Sequence, residues 1–237
     1  MFLFFTKLQR WFLMCFLLHV MSRGNALGVS PTFLTISPQQ SVANLTLSNE
    51  KTEPVTIQLE MVRWQQINGK DVYTETEALI ATPQIFTLAP NGTQIVRLGL
   101  ENPLFGEQEQ AYRLFIQEVV PKLNIKSKSE LRMALRISLP VIIKAEIPVR
   151  QKLRWQVLTR QGSKLRLMAE NRGSNVLFIN LLQAYTQEQQ PVTRPEVTFV
   201  YLLPGSKKEW ALSALTNNKV SSIKAFVNDQ TSVINVD

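Results

Sequence analysis

The chain has 237 residues, 45% of them hydrophobic, with 26 Lys and Arg against 18 Asp and Glu for a net charge of +8. Its single cysteine, Cys15, and single histidine, His19, both lie close to the N-terminus; beyond them no disulfide, thiol or imidazole nucleophile, histidine base or usual zinc or copper ligand set can be assembled. The acids stand beside turns or singly in strand-like runs, without a D-x-D-x-D loop or a glycine-rich phosphate cradle, so neither an enzyme nor a resident metal or cofactor is expected.

In chain order, Lys7 and Arg10 lead into an apolar run over 11–20, and Gly24 and Ala26 sit three and one positions before a cleavage point. That is the pattern of a secretory signal peptide over residues 1–26. The run is shorter than the ~20 residues a membrane-crossing helix needs, and Leu13 and Met14 are too large for a lipidation site at Cys15. Removing 26 of the 237 residues leaves 211, and the charge falls to about +5 as Lys7, Arg10 and Arg23 go. That length suits two small domains. The remaining bases are scattered, with no aromatic-basic box, so nucleic acid is not expected as a partner.

From Val29 onward, short runs rich in Val, Ile, Leu, Thr and Phe alternate with turn chemistry at roughly ten-residue intervals. Strands are expected over 44–48, 55–64, 84–88, 94–100, 111–119 and 131–143. Turns fall at Asn49-Glu50-Lys51, Asn68-Gly69 and Pro90-Asn91-Gly92, where Asn and Gly tolerate positive φ and Pro fixes the entry. A second series begins near Arg154 and continues over 164–170, 176–185, 197–203, 208–212 and 223–227. No segment keeps a helical period for three turns. The fold class is all-β, two sandwiches over 27–147 and 148–237, joined by Lys144-Ala145-Glu146-Ile147-Pro148, which lacks a flexible Gly/Ser tract and implies a defined angle. The triplets Asn44-Leu45-Thr46 and Asn91-Gly92-Thr93 fit glycosylation acceptors, although the second is explained by its turn. Trp64, Trp155 and Trp210 are widely spaced inside strand-like runs and are expected to pack in cores.

Leu131, Met133, Leu135 and Ile137 occupy every second position of one run. Strand side chains alternate between faces, so this run fits either an ordinary strand facing its own core or a strand offering its apolar face to a partner. Upstream, residues 121–130 carry Lys122, Lys126 and Lys128 with Ser127 and Ser129 and read as a mobile loop whose charge guards that strand against self-pairing.

Several segments resemble the PapD-type periplasmic chaperones of chaperone–usher pilus systems, their archaic branch above all. They are SPTFLTISP, NEKTEPVTIQLEMVRWQQINGKD, TPQIFTLAPNGTQIVRLGL, EQAYRLFIQEVVP and LRMALRISLPVIIKAEIPV in the first half, with AENRGSNVLFINL and YLLPGSKKEWAL in the second. The resemblance implies two immunoglobulin-like domains set at an angle. It also implies donor-strand complementation, in which a chaperone strand fills the groove of an incomplete pilus subunit before transfer to an outer-membrane usher. On this reading Leu131, Met133, Leu135 and Ile137 face the subunit. An empty donor edge also invites two copies to pair as a self-capping dimer.

The family holds the subunit's terminal carboxylate with an arginine of the first strand and a lysine of the donor strand. Here those positions fall near Thr32 or Phe33 and on Pro140, so neither base is present. The candidates are Arg97 and Arg113, Arg97 preferred, with Lys144 available only if it is free. Glu118, Lys144 and Asp229 match the family's inter-domain ionic cluster, with Lys where Arg is usual. Two competing readings are a secreted pilus subunit or adhesin, and a β-sandwich carbohydrate-binding module. The first needs a polymerising extension and an aromatic terminal strand, the second a cluster of exposed aromatics.

Overall fold

The computed structural model describes residues 26–102, 105–119, 134–161 and 163–236. They contain seventeen strands and no helix. The first ten are β1 (Leu27–Ser30), β2 (Leu34–Ile36), β3 (Val42–Asn49), β4 (Val55–Ile67), β5 (Lys70–Glu75), β6 (Leu79–Thr82), β7 (Ile85–Leu88), β8 (Thr93–Leu100), β9 (Gln110–Glu118) and β10 (Arg136–Ile143). One sheet has the order β1-β3-β8-β6; the other runs β2-β10-β9-β4-β5, with β7 also on β4. The remaining strands are β11 (Leu153–Gln161), β12 (Lys164–Asn171), β13 (Leu177–Tyr185), β14 (Glu196–Leu202), β15 (Lys207–Ser213), β16 (Ser222–Val227) and β17 (Gln230–Asn235). They form a β11-β12-β15 sheet against a β14-β13-β16-β17 sheet. No sheet mixes the two sets, and the result is two immunoglobulin-like sandwiches.

Alternation builds both cores. In β3, Ala43, Leu45 and Leu47 point inward between exposed or half-buried neighbours, and in β12 Leu165, Leu167 and Ala169 repeat the pattern. Each large aliphatic fully buried this way contributes about 1.5–3 kcal/mol. Both strands end on a buried asparagine. Asn49 Nδ2 donates to the carbonyls of Glu53 (2.8 Å) and Ala89 (3.1 Å), and Asn171 Nδ2 to those of Asn175 (2.7 Å) and Leu202 (2.9 Å). Each carboxamide fixes the loops beyond its strand, because a buried donor left unpaired would cost about 1–3 kcal/mol. Trp155 and Trp210 meet at 5.4 Å in the second core. Trp64, although buried, belongs to neither main core but to a small cluster between the sandwiches.

The Asn68-Gly69 turn has both residues at positive φ, 53° and 74°, the geometry that matches the twist of a tight hairpin. The link between sandwiches is tied on both sides. Glu146 N–H donates to Gly106 O at 3.0 Å, Arg172 N–H to Lys152 O at 2.7 Å and Ser174 N–H to Arg150 O at 2.9 Å. Gly173 permits this approach: a Cβ there would collide with the Arg150 carbonyl oxygen and lie 2.8 Å from Lys152 N. Gly173→Ala should therefore destabilise the second sandwich by about 2 kcal/mol, read as a lower urea midpoint in tryptophan fluorescence, which reports on Trp155 and Trp210.

Candidate functional site

Strand β10 pairs with β9 along its whole length, from Arg136 opposite Gln117 to Ile143 opposite Gln110. On its other side β2 covers only Val141–Ile143. The first half of β10 is therefore a sheet edge. Its hydrogen-bonding phase follows from Glu118 N–H donating to Leu135 O at 2.9 Å: odd residues address β9, and even residues address the open side. Arg136 and Ser138 thus turn their backbone groups outward, where no strand among the described residues pairs with them. Pro140, next in that series, has no N–H to offer.

The side chains follow the same alternation. Leu139, Val141 and Ile143 are buried in the first core, and Ile137 packs half-buried against it. Leu135, one repeat earlier, is 40% exposed. The core-facing row of β10 thus runs past the end of its own core. Leu131 and Met133 lie outside the described residues, as does the lysine-rich segment 121–130. On the opposite face Arg136 lies 4.1 Å from the Phe115 ring and 3.1 Å from Glu60.

Below this edge the two sandwiches meet. Trp64, Ala111 and Ile142 from the first pack with Val176 and Leu203 from the second. Two polar groups lock this seam. Glu109, only 7% exposed, accepts from Lys144 Nζ (2.9 Å) and from Val176 N–H (2.7 Å), while its own N–H donates to Ser174 O (2.8 Å). Gln66 donates through Nε2 to Tyr201 O (2.8 Å) and accepts from Leu203 N–H (3.0 Å).

Arg113 stands in the cleft beside the seam, its guanidinium carbon 3.8 Å from the centre of the Trp64 ring and 5.5 Å from that of Tyr201. Burial pushes the Tyr201 hydroxyl above its usual range, with Arg113 opposing, so the phenol stays a neutral donor. The ring track continues from Trp64 to Tyr201 at 5.4 Å and from Tyr201 to Phe178 at 4.7 Å, and Phe33 stacks on Tyr201 at 6.4 Å.

Arg97 does not reach this cleft. It is exposed on β8, between Asn44 and Thr82, with Val96 and Leu98 facing the core. It therefore lies on the outer face of the opposite sheet, a sandwich thickness of about 10 Å away. The expected cluster of Glu118, Lys144 and Asp229 is also not formed. Glu118 and Lys144 lie near opposite ends of an antiparallel pair, roughly 30 Å apart at about 3.3 Å per residue. Glu118 instead pairs with Lys51 at 2.6 Å. Lys144 meets Glu109, and Asp229 lines a cavity of about 460 Å³ with both. Glu109 was open to sequence reasoning: a base just after β10 faces whatever precedes β9.

The sequence matches the pili and flagellar-assembly chaperone family, PapD N-terminal domain, over residues 26–146. No curated protein matches it. Among solved structures it is similar to the Csu chaperone in the CsuC–CsuE chaperone–tip adhesion subunit pre-assembly complex of the archaic Csu pili of Acinetobacter baumannii. The identity is 18%, covering 89% of this chain and 98% of that chain, with a TM-score of 0.66. It is also similar to the Pseudomonas aeruginosa CupB2 chaperone (18% identity, 89% and 100% covered, TM-score 0.58) and the E. coli chaperone DraB (17%, 90% and 97%, 0.61). Two angled immunoglobulin-like sandwiches with a half-open strand beside their cleft define a pilus-assembly chaperone. The chain belongs to the PapD-type family of pili and flagellar-assembly chaperones.

Exchanging the Glu109 carboxylate for a carboxamide points an N–H₂ at one of its two donors. Glu109→Gln should lower the unfolding free energy by about 2–3 kcal/mol and broaden the shapes seen by small-angle scattering. Glu118→Gln should leave the scattering profile unchanged.

Proposed function

We propose that this chain binds pilus subunits in the periplasm by donor-strand complementation, with residues 131–137 as the donor, and passes them to an outer-membrane usher. The observation that carries the reading is the half-open β10. Its backbone groups at Arg136 and Ser138 meet no partner strand among the described residues, and its apolar row leaves its own core at Leu135. Strand addition of this kind draws affinity from main-chain hydrogen bonds and register from alternate side chains. A similar solved structure holds the same kind of partner, the Salmonella enterica SafA pilin in complex with the SafB chaperone. The signal-peptide pattern over 1–26 supports export, and the stacking of Arg113 on Trp64 beside the cleft supports Arg113 as the base for a subunit terminus.

The competing readings receive less support. Two complete sandwiches do not resemble a subunit that lacks a strand. All three tryptophans of residues 26–236 are buried, whereas a sugar-binding platform needs them exposed.

The two halves of the row give opposite expectations. Leu135→Arg should abolish recovery of a chaperone–subunit complex while leaving the melting temperature within about 2 °C, as for a surface change. Ile137→Arg should lower the melting temperature as well, because Ile137 touches the core. Unfolding by Leu135→Arg, or normal complex yield from it, would remove this strand from the interface.

A further inference from the structure

We propose that the outer face of the β11-β12-β15 sheet is a docking surface for an anionic phospholipid bilayer, holding the chain at a membrane while the first sandwich handles its cargo. The inference rests on the export reading above and not on the donor strand.

The charge of the chain is divided unevenly. Residues 27–147 hold eleven Lys and Arg against twelve Asp and Glu, whereas residues 148–237 hold twelve against six. The positive balance after residue 26 therefore belongs to the second sandwich. Within it, residues 150–172 and 207–209, which build β11, β12 and the start of β15, contain nine bases against Glu170 and Glu209. The rest of that sandwich, the β14-β13-β16-β17 sheet included, has three bases against four acids. One sheet thus concentrates the charge, an asymmetry that points to a partner of opposite sign.

Alternation aims the bases. Leu165, Leu167 and Ala169 fill the core from β12, and Trp210 and Leu212 fill it from β15, so Lys164, Arg166 and Lys207 stand exposed on the outer face. Arg154 takes the same face of β11, opposite Glu170, and Arg172 follows β12. Both acids of the face are already met. Glu170 accepts from Arg172 at 2.6 Å and lies 3.4 Å from Lys207 Nζ, and Glu209 pairs with Arg166. Five bases against two acids leave a cationic surplus, spread over about 20 Å of β12 at ~3.4 Å per residue.

The make-up of the face selects the partner. Protein interfaces gather aromatic side chains and exclude lysine and glutamate from their centres. Here Trp155 and Trp210, the aromatics of the three strands, turn inward, and the middle of the face is charged. The same lack of outward rings leaves no stacking platform for a single-stranded nucleic acid. A layer of lipid phosphates requires only cations distributed over a flat face, with small apolar footholds among them. Met168, half-buried between Gln156 and Glu209, and Leu158, exposed at the β11 bulge, supply the footholds. Because acids slightly outnumber bases in the first sandwich, the field of the molecule turns the basic sheet toward an anionic surface.

The test is flotation of the exported form, which lacks the apolar run over 11–20, with vesicles of phosphatidylglycerol and phosphatidylcholine or of phosphatidylcholine alone. Only the anionic vesicles should carry the protein, and binding should fall at least about tenfold between about 0.1 and 1 M salt as the Debye length shrinks from ~10 to ~3 Å. Lys164→Gln should weaken binding about fivefold, and Lys164→Gln with Arg166→Gln about 25-fold, the loss expected per base at such a surface. Lys224→Gln, the same charge loss on the opposite sheet, should stay within about twofold. Equal binding to both kinds of vesicle, no binding to either, or wild-type binding by the folded double variant overturns the proposal. Tighter binding of soluble poly-glutamate than of anionic vesicles at equal charge also overturns it and makes the partner an acidic protein. In a second arm the double variant should capture a co-expressed pilus subunit as well as wild type does. Loss of capture assigns the face to the subunit and overturns membrane docking, whereas failure of wild type to capture any subunit counts against the donor strand alone.

Discussion

The buried carboxylate of Glu109 is the contact on which the working shape depends. Two sandwiches joined by a short link could adopt many angles. Here one acid takes a lysine from its own domain and a backbone N–H from the other, within a few residues of the link. A buried charge is tolerable only when its lone pairs are met, so any opening that strips Val176 N–H from Glu109 is penalised. Gln66 repeats the device in neutral form on the far side of Trp64. Between them the apolar seam supplies attraction, and the two polar locks supply direction. The cleft that contains Arg113 exists because this angle is held.

A protein that lends a strand has to keep an edge open without joining its own kind. Open, flat, apolar edges aggregate, and natural proteins blunt them with charge, proline or cover. All three appear along β10. Arg136 stands on the open half, β2 covers Val141–Ile143, and Pro140 removes the N–H between them. The remaining attraction is concentrated in the apolar row that leaves the core at Leu135. Selectivity then falls to the partner, which must bring a groove for that row as well as a strand edge.

The all-β class, the two-sandwich division, the Asn68-Gly69 hairpin and most central strands were legible in the sequence, because period-two alternation and turn residues are local signals. The short strands β1, β2 and β6 were not, since three or four residues carry too little pattern. The alternation from Leu131 to Ile137 was legible, but the point at which it leaves the core was not: nothing in that run says that Ile137 touches the core and Leu135 is left exposed. The charged groups were least legible. Arg97 and Arg113 have nearly the same apolar flanks, IVRLGL and AYRLFI, and differ only in which sheet carries them. Glu118 was assigned to Lys144 by family likeness, although the antiparallel register of β9 and β10 puts them at opposite ends.

That register also explains why lysine suffices at position 144. Arginine is favoured where one cation must bridge two carboxylates, because its planar fork offers several fixed donors. Here the second demand on Glu109 is met by Val176 N–H, so Lys144 has a single bond to make, at 2.9 Å. With the carboxylate bound by a lysine and a backbone amide, Asp229 is left at the cavity rim and is not required for the lock. The cluster has shifted from a three-side-chain ionic group to a two-side-chain pair completed by the backbone. A lock that uses the second sandwich's main chain holds the angle whatever side chains line its surface.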